Sequence, residues 1–116
     1  EIREAAVHLL RHVHDMELSE IVEAVNSVTA FKLEITDYLD IIAVWYRDVL
    51  LYKATRDMDT VVFKDQIDDI REQARKSSYE GIQLIISSLD KAKARLKANV
   101  NFDLVMELLF LTMKEN

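Results

Sequence analysis

The residues most able to do chemistry begin with a histidine pair. His8 and His12 stand at i,i+4, so on a helix both rings could reach one metal ion, with Glu4 one turn earlier. The HExxH arrangement, which adds a general base, is missing because position 9 is Leu. A solvated or partly packed pair near a chain end is the preferred reading, and no metal site is assigned. Lys91, Lys93, Arg95 and Lys97 form the one basic run. Their spacing by two throws them to alternate sides of a helix, so they make no stripe along a phosphate backbone. Cations near a helix C-terminus are favourable on their own, by about 0.3–1 kcal/mol each. No direct nucleic-acid contact is expected.

A second possibility lies in paired carboxylates. Glu20-x-x-Glu23 followed by Glu34-x-x-Asp37 resembles the acidic pairs of all-α nucleoside triphosphate pyrophosphohydrolases, which hold magnesium between facing helices. At about 100° per residue, Glu23 points away from the apolar centre of its helix, and Glu20 lies about a right angle from it. A metal site inside a bundle needs both to face inward. Solvated acidic faces are therefore the preferred reading, and the magnesium enzyme is kept as an alternative. No Ser stands in a nucleophile elbow, and the aromatic residues do not alternate with basic ones as a base-stacking platform requires. With no Cys, thiolate catalysis, Cys-ligated zinc and disulfides are excluded. One Gly is too few for a phosphate-cradling loop. No catalytic residue or cofactor is assigned, and this stretch of chain is not expected to be an enzyme.

The elements that carry these residues follow from the apolar spacing. The chain has 116 residues, half of them apolar and 31% charged, with a net charge of 15 − 21 = −6. That is one domain's worth of chain, residues 1–116, with enough apolar surface for a core. A first helix fits Ile2 to about Met16. Ser19 is the expected N-cap of a second, whose inward face is Ile21, Val25 and Val28. A third helix, roughly Lys32 to Arg56, is apolar nearly all round and must be central. The run from Arg56 to Thr60 reads as a turn, and Val61-Val62-Phe63 as a connection packed on the core. Asp65 is the expected cap of a fourth helix with Ile67, Ile70 and Ala74 inward, and Glu72 and Lys76 form a favourable i,i+4 pair on its outer face. Ser77 or Ser78 caps a fifth, in which Gly81 permits close approach of a neighbour. Asn101 caps the last, Phe102 to about Lys114. The fold expected is all-α, a compact bundle of five or six helices.

The last helix has almost no wet face. Only Asp103, Glu107 and Thr112 are polar between Asn101 and Lys114. Such a helix threads the core, or meets another polypeptide, or does both. The expectation is both, with Phe110 and Leu111 as candidate anchors. Homodimerisation as a stand-alone helical regulator is a further alternative. The longest nearly uncharged apolar run, Ile41 to Tyr46, is far too short to cross a bilayer, so a soluble cytoplasmic setting without membrane contact is expected.

Trp45-Tyr-Arg-Asp-Val-Leu-Leu-Tyr-Lys53, Ala74 through Ser78, and Ala98-Asn-Val-Asn-Phe-Asp-Leu104 leading to Glu107-Leu-Leu109 resemble the C-terminal domains of bacterial DNA polymerase III delta-prime subunits. The likeness runs along essentially the whole chain and is densest in the W-[FY]-R-D-[LIV]-L-L-x-K and N-x-N-x-x-L patterns, the first of which gamma/tau subunits share. The resemblance implies a collar domain of the clamp loader, in which helical C-terminal domains of five subunits pack into a ring during DNA replication. Its implied partners are the gamma/tau and delta subunits. It also implies that the chain, which begins at Glu1 rather than Met, is the C-terminal part of a longer one, with the family's nucleotide-binding fold and zinc module upstream. The two patterns transfer Arg47 and Asp48, expected as a paired polar element beside Trp45 and Leu51, and Asn99, Asn101 and Glu107. With Phe110 and Leu111 these are the candidate subunit-interface residues.

Overall fold

A computed structural model describes residues 1–116. Six α-helices make up the chain: α1 (Ile2–His12), α2 (Leu18–Val28), α3 (Ile35–Thr55), α4 (Ile67–Lys76), α5 (Tyr79–Lys97) and α6 (Phe102–Glu115). Short 3-10 turns at Val13–Asp15, Thr29–Glu34, Met58–Thr60 and Lys64–Gln66 join them. The bundle measures 39 × 28 × 27 Å. No strand forms, and no helix is long and apolar enough to cross a membrane.

The central position of α3 follows from its surface. It packs against α1, α4 and α5, and Leu39, Ile42, Trp45, Tyr46 and Val49 along it are fully or almost fully buried. α6 lies across the other side, against α5 and α2. Its face of Phe102, Val105, Met106, Leu109, Phe110 and Met113 is buried, at the i, i+3, i+4, i+7 spacing of one helical stripe. The core is continuous from α1 to α6.

The helix ends show which local signals were decisive. Asn101 caps α6 as expected, its Oδ1 accepting from the Leu104 N–H at 2.9 Å. Ser78 caps α5 by accepting from the Gly81 N–H at 2.9 Å. Gly81 itself is pressed close to the end of α6, where an added Cβ would lie 3.0 Å from the Asn116 carbonyl oxygen. Asn99 ends α5 in a left-handed conformation, φ 61°. Its N–H donates to Leu96 O and the Val100 N–H to Arg95 O, the paired bonds of a Schellman ending.

Two caps differ from expectation. Ser19 lies inside α2, whose first turn is closed one residue pair earlier by the Glu17 N–H donating to Glu20 Oε1 at 2.9 Å. Asp65 caps nothing. It sits in the 3-10 turn before α4, and its carboxylate instead pairs with Arg3 at 3.1 Å, tying α1 to α4. The third helix is also shorter at its start than the apolar pattern suggests, because residues 29–34 form a 3-10 segment kinked at Phe31.

The Tyr46 hydroxyl is buried without a hydrogen-bond partner. Burial raises its pKa, and nearby Gln73, which pulls the other way, already has its amide committed elsewhere. A buried orphan hydroxyl costs roughly 1–3 kcal/mol relative to a satisfied one. Tyr46→Phe is expected to keep full stability or to gain about 1 kcal/mol, read from the urea midpoint. A clear loss would mean that the hydroxyl has a partner in solution.

Candidate functional site

The first sequence pattern maps onto one stripe of α3, and that stripe is a joint. The Asp48 carboxylate is completely buried. It accepts from the Val62 N–H at 3.0 Å on each oxygen and from the Phe63 N–H at 2.8 Å. These bonds hold the extended Val61–Phe63 connection against the helix, with Val61 and Phe63 buried. Three residues back, the Trp45 indole is fully buried and tilted on the Phe63 ring, with centroids 5.4 Å apart. Its Nε1–H donates to Gln73 Oε1 of α4 at 2.6 Å. One turn further on, the Tyr52 hydroxyl accepts from Arg71 Nε at 3.1 Å. Lys53 Nζ donates to the Ala74 carbonyl at 2.9 Å, satisfying a backbone acceptor in the last turn of α4. Ala74 through Ser78, the second stretch of likeness, is therefore where α3 grips the α4–α5 corner.

This geometry corrects several of the expected interface residues. Trp45, Asp48 and Phe110 are each 0% exposed within the protomer, so they have no surface to offer another subunit. Asp48 is not paired with Arg47. It turns inward to backbone N–H groups, whereas Arg47 is exposed and makes no hydrogen bond or ion pair. Leu51, Glu107 and Leu111 are half-buried, Leu111 touching the edge of the core. Asn99 and Asn101 are exposed, and their placement is explained by the turn chemistry of the α5–α6 corner. Of the candidates, Arg47, Leu51, Asn99, Asn101, Glu107 and Leu111 keep accessible surface.

The groups singled out for chemistry are dispersed. His8 and His12 lie with ring centroids 4.7 Å apart on the exposed side of α1. Glu20, Glu23, Glu34 and Asp37 are all exposed. No three carboxylate or histidine groups converge in a way that could hold a metal ion. Lys93 of the basic run is engaged by Asp40 of α3.

One polar relay escaped the sequence reading. The Trp45 indole can only donate, which fixes the Gln73 amide with Oε1 toward it. Gln73 Nε2 then faces His14 Nε2, and because the amide nitrogen is a donor, that ring nitrogen must carry a lone pair. His14 is neutral in this arrangement. Burial is the largest influence on its pKa and lowers it. The Lys114 backbone carbonyl and Asp15 raise it, while the Lys76 and Lys114 charges lower it further. These groups line a polar cavity of about 250 Å³ bounded by Arg11, Asp69, Glu72 and Lys76. There Arg75, with Lys76, holds the exposed Glu72 carboxyl down to about 2. Nothing in the residue types at 14, 45 and 73, 59 positions apart at the extremes, signals that they meet.

The arrangement defines a helical domain whose most distinctive residues join its own elements. The C-terminal domain family of the DNA polymerase III delta subunit matches residues 8–115. The chain belongs to that family. It is also similar to DNA polymerase III subunit delta' of Bacillus subtilis (strain 168), with 32% identity over 77 residues, 66% of this chain and 23% of that protein. The chain thus spans about a quarter of the length of that relative. No solved structure matches it.

Two outcomes follow from the joint and the relay. Asp48→Ala leaves the Val62 and Phe63 donors without an acceptor and is expected to cost about 2–4 kcal/mol. Asp48→Asn, which keeps one acceptor oxygen, costs less, and urea unfolding at neutral pH measures both. For His14 the folded pKa is depressed below 6.5, so the unfolded chain binds the proton first. Its contribution is fully present above pH 6.5 and is lost as pH falls from there toward the folded value. The urea midpoint should therefore drop between pH 7.5 and 5.5, and His14→Gln should flatten that drop. Equal slopes for the two proteins would clear His14 of the effect.

Proposed function

We propose that this domain is a collar module of the bacterial DNA polymerase III clamp loader, associating with gamma/tau and delta subunits and doing no chemistry itself. The observation that carries the reading is the outer face of α6. Leu104 and Leu108 are 50% and 45% exposed, and with half-buried Leu111 they form an i, i+4, i+7 apolar stripe opposite the buried one. A helix whose inner stripe is saturated by its own core has no internal use for a second. Water contact along such a stripe is unfavourable by about 25 cal/mol for each Å², which a neighbouring helix would relieve. Val100, also exposed, extends the apolar surface into the α5–α6 corner, beside Asn99 and Asn101. A collar ring would use two different faces of each domain, and this is one of them.

Co-purification of the chain with gamma/tau and delta subunits tests the reading. Leu104→Glu with Leu108→Glu is expected to leave the thermal midpoint within a few degrees and to abolish association. Phe110→Ala serves as the contrast. It should cost about 3–5 kcal/mol of stability, because its side chain belongs to the core. If the doubly substituted chain still co-purifies at wild-type levels, α6 is not the contact face. If the unsubstituted chain binds none of these subunits, the collar reading fails.

A further inference from the structure

The carboxylates of this chain are treated in two different ways. Those around α4 are neutralised internally: Asp65 by Arg3, Asp69 by Arg11, Asp68 by Arg71, and Glu72 by Arg75 and Lys76. Those of α2 and its approach are not. Between Arg11 and Lys32 the sequence contains no Lys or Arg, and Asp15, Glu20 and Glu23 form no ion pair. The nearest later cation, Lys32, holds its ammonium 5.4 Å from the centre of the Phe102 ring, directed to α6.

Glu20 and Glu23 stand on the lip of an open trough of about 400 Å³ between α1 and α2. The trough floor is apolar, made by Ala5, Leu9, Met16, Ala24 and Phe31. Phe31 is held in place by stacking on Tyr38 at 6.4 Å, nearly parallel. Small side chains at 5 and 24 leave the depression; Leu9 and Val28 close it below. Small-molecule sites converge several donors and acceptors on their ligand. Here the polar lining is His8, Glu20, Glu23, Ser27 and Tyr38, and its only carboxylates, Glu20 and Glu23, have no cationic partner in the chain. A trough between two helices with an apolar floor and a charged lip is the geometry of helix-in-groove recognition.

We propose that the α1–α2 trough docks a basic amphipathic helix of another polypeptide, which seats one large apolar side chain over Ala5 and Ala24. Lys or Arg residues flanking that anchor meet Glu20 and Glu23. The uncompensated acidic lip selects the sign of the partner's charge, and the floor supplies the contact that excludes water. This surface is on the α1–α2 side and does not depend on the collar reading of α6.

The test uses a synthetic Lys-rich amphipathic helix with one central Phe, titrated into the isotope-labelled chain and followed by NMR at low and high salt. Saturable shifts confined to residues around Ala5, Leu9, Ala24 and Phe31 are expected, weakening as salt rises. Glu23 makes no internal bond, and Gln at 20 keeps the α2 capping acceptor. The pair Glu23→Lys with Glu20→Gln should therefore fold normally and weaken binding on the order of tenfold. Glu80→Lys with Asp90→Lys, a reversal of the same sign elsewhere, should leave binding unchanged. Replacing the peptide's Phe by Ser should abolish saturation. The proposal is overturned by the absence of saturable binding, by shifts spread over every acidic surface, or by indifference to the Glu23 pair or to the peptide's Phe. The Leu104 and Leu108 variants should bind the peptide as the unsubstituted chain does, which separates this surface from α6.

Discussion

The buried Asp48 carboxylate is the constraint on which the rest of the bundle turns. A charge taken out of water is expensive unless its lone pairs are satisfied. Here they are satisfied by backbone N–H groups of Val62 and Phe63, donors that find no acceptor within their own connection. The bargain is mutual. Within the connection between α3 and α4 the N–H groups of Thr60, Val61, Lys64 and Gln66 find acceptors in the connection itself, whereas those of Val62 and Phe63 turn to Asp48, and the Phe63 ring packs on Trp45. Fixing residues 61–63 on α3 meets both needs and sets the direction in which α4 starts. Gln73 and Ala74 then reach Trp45 and Lys53 from the far end of α4, so the two ends of one short helix are tied to a single stripe of its neighbour.

That geometry gives a physical meaning to a sequence pattern. In the stretch from Trp45 to Lys53, the residues with distinctive chemistry point inward to the 61–74 segment, and Arg47 alone points outward without a partner. The N-x-N stretch likewise resolves into two corner devices: Asn99 takes up the left-handed position that ends α5, and Asn101 caps α6. Residues that make such patterns recognisable are those whose side chains do a job no other type does as well. Capping, accepting two backbone donors at once, and filling a large buried niche while donating one hydrogen bond are jobs of that kind. They specify how the domain is built.

The same contrast explains what could be read from the chain alone. Helix number, the central position of α3, the inner faces of α2 and α4, and the Ser78 and Asn101 caps are all local or periodic properties, and the sequence displays them directly. Ser19 does not cap α2, because Glu17 and Glu20 form a reciprocal box two positions earlier. Asp65 was lost to a contact with Arg3, 62 residues away. The helix pattern of α6 showed apolar residues on two sides but could not say which side met the protomer's own core. Phe110 and Leu111 are adjacent in sequence yet point to different environments, one sealed and one half open. The His14–Gln73–Trp45 relay depends entirely on the tertiary fold.

An acidic chain assembled from mutually paired elements raises the question of where its excess negative charge should reside. Net charge of −6 disfavours compaction by self-repulsion unless it is spread or neutralised. Around α4 the neutralisation is local and ties helices together: Arg3 and Arg11, eight residues apart on one face of α1, reach Asp65 and Asp69. Exposed pairs of this kind contribute little stability individually; here they bridge α1 to the start of α4. Around α2 no such use is made of the carboxylates, although α1 lies against that side too and could have supplied cations there as it does for α4. Positions 5, 8 and 9, the α1 residues that face α2, are Ala, His and Leu. The two sides of α1 therefore differ: one is bridged by ion pairs within the domain, and the other sets Ala5, His8 and Leu9 beside the unpaired Glu20 and Glu23.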